Sequence, residues 1–193
     1  MNYDFGGLTE ILAQIDDTSA DALVAAIQAH SRIFVYGAGR SGLMIKAFAM
    51  RLAQAGYTVF AVGDVTTPAI KCGDLLLLAS ASGETASVLR YARIAKDVGA
   101  CVLSLTARES STLASLSQRI LLLHAPTKDD PTSGAVMGTL FEQAVLLFCD
   151  AAVERLGVSA TDLRARHANV EEEKRTRYCF FNDVSVFYGR FIL

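Results

Sequence analysis

Short apolar runs alternating with stretches of helical spacing set the tightest limit on what this chain can fold into. The runs cover residues 33–36, 58–62, 75–79, 101–105 and 120–124, bounded by Gly, Ser or charged residues. Helical patterns lie between them at about 40–55, 84–98 and 111–117. A strand that is apolar at every position is buried on both faces, as in a parallel sheet covered by helices on both sides. Right-handed crossovers then reduce the topology to a doubly wound sheet. The expected fold is α/β: a three-layer α/β/α sandwich around a five-stranded parallel sheet of flavodoxin-like order, 2-1-3-4-5. Ligands of such sheets sit at the carboxyl ends of the strands, near the switch in strand order. At 193 residues, 52% of them hydrophobic, the chain is long enough for one such domain with a substantial core.

Outside the alternation, Leu8, Ile11, Leu12 and Ile15, then Leu23, Val24 and Ile27, keep helical spacing. Two helices are expected there, with Thr18 or Ser19 capping the second, packed on the main body or on another subunit. After the fifth run comes a loop at 125–133 with two Pro and two Asp, of which Asp129 and Asp130 read as solvated charges. A long helix at about 138–156 and a shorter one at 160–167 follow. The single domain spans residues 1–171. Residues 172–193 differ in kind, holding six of the sixteen aromatic residues, and read as an added strand, a packing arm for a neighbouring subunit, or sequence unrelated to function.

A net charge of −2 gives no electrostatic reason to expect nucleic acid as a partner. No apolar run approaches the ~20 residues that span a bilayer. The first residues, including Asp4, Gly6, Gly7 and Glu10, lack the basic and apolar regions of a signal peptide, so the expected location is cytoplasmic. Cys72, Cys101, Cys149 and Cys179 form no C-x-x-C, and the three histidines form no metal-ligand spacing. Buried free thiols in a reducing compartment, and no metal, are expected. His30 and His124 sit at element ends and receive no role.

Two loops can do chemistry. Gly37-Ala38-Gly39-Arg40-Ser41-Gly42 follows the first strand and opens a helix, where backbone N–H groups and the helix dipole favour an anion. Its glycines spell G-x-G-x-x-G, the dinucleotide fingerprint, and Asp64 lies about where a ribose-binding carboxylate belongs. Ser80-Ala81-Ser82-Gly83-Glu84-Thr85 follows the third strand and offers three hydroxyls at a helix start. Capping of that helix by Ser82 is the plainer alternative for this loop. In a 2-1-3-4-5 sheet the two loops are neighbours. The second loop has no part in a dinucleotide site, and one sheet leaves no room for a separate catalytic domain, so the pair reads as a phosphate cradle.

Together these loops resemble the sugar isomerase (SIS) domain. Lys46-Ala47-Phe48-Ala49-Met50-Arg51-Leu52, Thr66-Thr67-Pro68-Ala69-Ile70, Met137-Gly138-Thr139-Leu140-Phe141-Glu142-Gln143 and Arg166-His167-Ala168-Asn169-Val170-Glu171 narrow the likeness to the 6-phospho-3-hexuloisomerases. The likeness covers roughly residues 5–171; Ala81 stands where a second Gly is common, and the tail has no counterpart. It implies interconversion of D-arabino-hex-3-ulose 6-phosphate and D-fructose 6-phosphate in the ribulose monophosphate pathway of formaldehyde fixation, without cofactor or metal, by a homotetramer. Isomerisation of arabinose 5-phosphate or sedoheptulose 7-phosphate, and a non-catalytic sugar-phosphate sensor, are the alternatives.

Such an isomerisation needs a phosphate anchor, one base that reaches two adjacent carbons, and a donor for their oxygens. Gly39, Ser41, Ser80, Ala81, Ser82 and Thr85, with the backbone N–H groups of Gly83 and Glu84, are the expected anchor. Arg40 would contact phosphate or a sugar oxygen, or else be a surface cation. Thr66 and Thr67 line the site or form a turn around Pro68. Glu142 is the candidate base, partly desolvated among Leu140, Phe141 and Val145; Thr139-x-x-Glu142 also reads as a capping box. The likeness makes His167 the second acid/base, in a motif that can reach a neighbouring subunit.

Overall fold

The computed structural model describes residues 5–128 and 136–168. The tail, most of the Asp129–Asp130 loop and the end of the motif after His167 lie outside the described residues. Five parallel strands form one sheet in the order β2-β1-β3-β4-β5: β1 (Arg32–Gly37), β2 (Thr58–Ala61), β3 (Leu75–Ala79), β4 (Cys101–Thr106) and β5 (Arg119–Leu122). The order and direction are those expected from the apolar runs.

Side chains alternate across the sheet, so each strand feeds two cores. Ile33, Val35, Leu75 and Leu77 face one layer, built from α1 (Phe5–Ala13), α2 (Asp17–Ala29), α3 (Gly39–Gln54) and α6 (Thr139–Arg155). Phe34, Leu76, Leu78 and Val102 face the other, built from α4 (Ala86–Asp97) and α5 (Thr112–Leu116). A last helix, α7 (Ala160–Ala165), rests on α3. Among the described residues no helix is long and apolar enough to cross a membrane.

Several boundaries differ from the sequence expectation, each for a local reason. The second helix is capped by Asp16, whose carboxylate accepts from Ser19 N at 2.8 Å and from the Thr18 hydroxyl; neither Thr18 nor Ser19 is the cap. Helix α4 starts at Ala86 rather than 84, with Thr85 as its N-cap, so Ser82 does not cap it. The N-cap of α6 is Gly138, which puts Thr139 inside the helix and rules out Thr139-x-x-Glu142 as a capping box. Of the thiols, Cys149 is buried, and burial pushes it well above the ordinary thiol range; Cys101 is half-buried, and Cys72 is exposed, contrary to expectation.

Two arginines tie elements together through ion pairs. Arg155 of α6 bridges Asp17 and Asp21 of α2. Arg32 at the start of β1 meets buried Asp74 just before β3, and its guanidinium also lies over the Phe34 ring at 5.4 Å.

Candidate functional site

The switch in strand order falls between β1 and β3, and a cleft of about 160 Å³ opens there at the strands' carboxyl ends. Ser41 enters it from the first turn of α3, and Ser80, Ala81, Ser82 and Thr85 from the loop after β3. Glu142, in the first turn of α6, lines the same cleft. The two loops and the long helix, far apart in sequence, thus meet as the topology requires.

The hydroxyl loop is braced by its own groups. Ser80 Oγ lies 3.1 Å from Thr85 Oγ1 and accepts from Gly83 N at 3.2 Å, while Ser82 Oγ accepts from Glu84 N at 3.2 Å. The Gly83 and Glu84 amides, expected as phosphate donors, are therefore engaged within the loop. The Glu84 carboxylate accepts from Thr112 N at 2.7 Å, a bond that holds it below the usual carboxylate range and ties the loop to α5. Ser80, 4% exposed, is the most enclosed of these hydroxyls.

On the opposite wall Glu142 is 8% exposed. Arg40 Nε donates to its Oε2, so the buried carboxylate has a cation at hand. Burying a carboxylate is costly without such a partner. Arg40 itself remains largely in water, with 64% of its side chain exposed, and can move without disturbing the core.

Sequence reasoning missed part of the lining. Thr127 and Lys128, from the segment after β5, and Met137 and Gly138, before α6, complete the cleft. Met137 has φ 54° and ψ 37°, a left-handed conformation that is uncommon for a side chain of this kind. Lys128 places a cation in a lining otherwise supplied with neutral donors and one carboxylate. Its position beyond the carboxyl end of a strand was the only signal in the sequence.

One residue of β4 connects the hydroxyl loop to the segment after β5. Thr106 Oγ1, fully buried, donates to Ala81 O at 3.3 Å and accepts from Arg108 N at 3.2 Å. The Arg108 guanidinium then donates to Thr127 Oγ1 at 3.3 Å.

Other candidates lie elsewhere. Gly39, with Gly42, Lys46 and Asp64, lines a separate cavity of about 290 Å³ on the far side of the first loop. The Asp64 carboxylate, suggested for a ribose, accepts from Lys46 Nζ at 2.7 Å. Thr67 Oγ1 donates to Ala61 O at 2.6 Å in the turn after β2, and exposed Thr66 sits beside it; neither lines the cleft. His167 is exposed past the end of α7, where Arg166 donates to Gln54 O at 3.4 Å. Gln54 ends α3, the helix whose first turn carries Ser41, so about 20 Å of helix separates it from the chain's own cleft. Among the described residues no three His, Cys, Asp or Glu side chains gather as a metal site would require.

Comparison with known proteins identifies the family. Residues 26–155 match the SIS domain. A 3-hexulose-6-phosphate isomerase of Mycobacterium gastri is 40% identical over 171 residues, covering 85% of this chain and 86% of the relative. One of Bacillus subtilis is 38% identical over 167 residues, with 82% and 90% covered. The crystal structure of a hypothetical protein from Methanococcus jannaschii, from which a function of 3-hexulose-6-phosphate isomerase was inferred, superposes with a TM-score of 0.77. That protein is 28% identical, and the match covers 86% of this chain and 98% of its own. The chain belongs to the SIS domain family and groups within it with the sugar-phosphate isomerases.

Proposed function

We propose that this protein is a 6-phospho-3-hexuloisomerase, interconverting D-arabino-hex-3-ulose 6-phosphate and D-fructose 6-phosphate. The observation that carries the reading is the buried carboxylate of Glu142 across one cleft from four hydroxyl side chains suited to a phosphate. The names of the relatives at 35–40% identity support the same substrate. In the forward direction Glu142 takes the proton from C2 of the 3-ketose, giving an enediolate across C2 and C3. Returning a proton to C3, and shifting the hydroxyl proton from O2 to O3, leaves the ketone at C2. A carboxylate that reaches one of two adjacent carbons reaches the other, so a single base serves both half-reactions. Arg40, bonded to that base, is positioned to donate to the enediolate oxygens. Ser41, Ser80, Ser82 and Thr85 would hold the phosphate, with Lys128 adding charge.

His167 is exposed and lies far from its own cleft, which supports a role across a subunit boundary in a homotetramer. The reading places the enzyme in the cytoplasm, after the step of the ribulose monophosphate pathway that condenses formaldehyde with a pentulose phosphate.

The test is turnover of hexulose 6-phosphate, generated by its synthase and followed through phosphoglucose isomerase and glucose-6-phosphate dehydrogenase. Formation of NADPH is expected, and none with fresh protein would refute the assignment. Arabinose 5-phosphate and sedoheptulose 7-phosphate, run beside it, measure selectivity. Mixing inactive Glu142→Gln with inactive His167→Ala protein should restore activity if the histidine serves a neighbour; no restoration would place it outside the shared site.

A further inference from the structure

The connection between β2 and β3 contains no helix; residues 62–74 run as turns and irregular chain. Helix α4 packs on β3 and β4 and reaches β1 through Tyr91, whose ring meets that of Tyr36 at 4.5 Å, so the far edge of this face, at β2, is covered by the turns of the connection. The result is an apolar groove of about 280 Å³, with Phe34 and Leu76 as its floor, Pro68 and Ile70 on one side, and Ile94 and Val98 on the other. Ile94 and Val98 are each 40% exposed, although they continue the apolar stripe of α4. An apolar surface of this kind is stabilised by whatever covers it.

The place where the described chain stops points to the occupant. Arg166 packs against Gly56, immediately before β2 begins at Thr58. Thr58 pairs with Arg32, and the Arg32 guanidinium donates to Ala69 O at 3.2 Å, on the lip of the groove. The Arg166 side chain, two residues of chain, one strand spacing and the Arg32 side chain make that path roughly 27 Å. Residues 169–177 can extend to about 30 Å, and the next four are Tyr178-Cys179-Phe180-Phe181. The tail is thus long enough to bring its first aromatic run to the groove of its own chain.

We propose that this aromatic segment lies over the groove, whose floor is already buried, and covers the exposed Ile94 and Val98 at its rim. The inference rests on the groove and the tail and is independent of the reading of the cleft as an isomerase site.

The chain carries its own reporter. Cys72 is exposed beside the groove, with Sγ 3.3 Å from the position a Cβ would take on Gly99, next to Val98 and two residues from Ile70. Cys179 lies within the aromatic run. Full-length protein treated with limiting diamide should form a Cys72–Cys179 disulfide within one chain, detected as a linked peptide from the monomer band. Replacing both Phe180→Asp and Phe181→Asp should slow that linkage at least tenfold while leaving the circular dichroism spectrum unchanged. An equal rate in the double variant would mean chance collision and would overturn the proposal. So would the absence of the linked peptide, or a Cys72–Cys179 link found only between chains, which would assign the groove to a second copy.

Discussion

Gly42 approaches Gly37 so closely that a Cβ on Gly42 would lie 2.3 Å from the Gly37 carbonyl oxygen. The end of β1 and the first turn of α3 are in backbone contact there, with no room for a side chain. Gly39, between them, has φ +56° and open space around it. The three glycines of the dinucleotide-like fingerprint thus divide into two that permit contact and one that permits a turn.

This division predicts different costs. Gly42→Ala must shift the backbone where β1 meets α3 and is expected to destabilise by about 3 kcal/mol. Gly39→Ala meets no atom and should cost about 1 kcal/mol through its left-handed conformation. Urea unfolding of both variants checks the order; equal costs would contradict the packing argument.

Glu142 and Arg40 should separate chemistry from stability. Glu142→Gln keeps shape and burial, so kcat should fall by about a thousandfold with KM changed little. Arg40→Met strips the buried carboxylate of its cation and should cost about 1–2 kcal/mol, the guanidinium being well solvated. Combining the two substitutions should recover much of that loss, since the neutral amide needs no counter-charge. Steady-state kinetics and urea unfolding of the two single variants and the double one measure both effects.

Met137 offers a gain. Asparagine tolerates the left-handed region better than methionine, so Met137→Asn should stabilise by roughly 0.5–1 kcal/mol, or a few degrees in Tm. Because Met137 lines the cleft, KM should rise in the same variant. A lower Tm would show that its side chain contributes more than its backbone costs.

The Arg32–Asp74 pair predicts a pH dependence. Burial pushes the Asp74 carboxyl up, but the Arg32 guanidinium and the Lys71 amide outweigh it and hold the group below its ordinary value of 3.8. A lowered folded-state pKa means stability that is present above that value and lost as pH falls through the folded pKa. Arg32→Leu should therefore destabilise the protein at pH 7, and less so at pH 3, where the orphaned carboxyl is protonated. Urea unfolding at the two pH values tests the narrowing.

The fold was legible because β3 is apolar at all five positions and its neighbours nearly so, a pattern that only a doubly covered strand explains. The two hydroxyl-bearing loops and Glu142 were legible because their residue types are suited to the chemistry and topology brings strand ends together. Thr127 and Lys128 were not, since their nearness to Ala81 depends on Thr106 and Arg108 bridging across β4. Nor was the turn at Met137 and Gly138: nothing in a methionine announces a left-handed backbone. Caps shifted because Asp16 and Gly138 compete with neighbouring hydroxyl residues, and the winner is set by backbone angles rather than by residue type.

Thr106 hands on a mechanical consequence. Because its one hydroxyl and the adjoining arginine tie Ala81 to Thr127, these two stretches of the lining are braced against β4. The ordering entropy that ligand binding would otherwise have to overcome is already met during folding. A phosphosugar therefore meets one side of the cleft already set by folding, and on that side discrimination falls to fit rather than to loop closure.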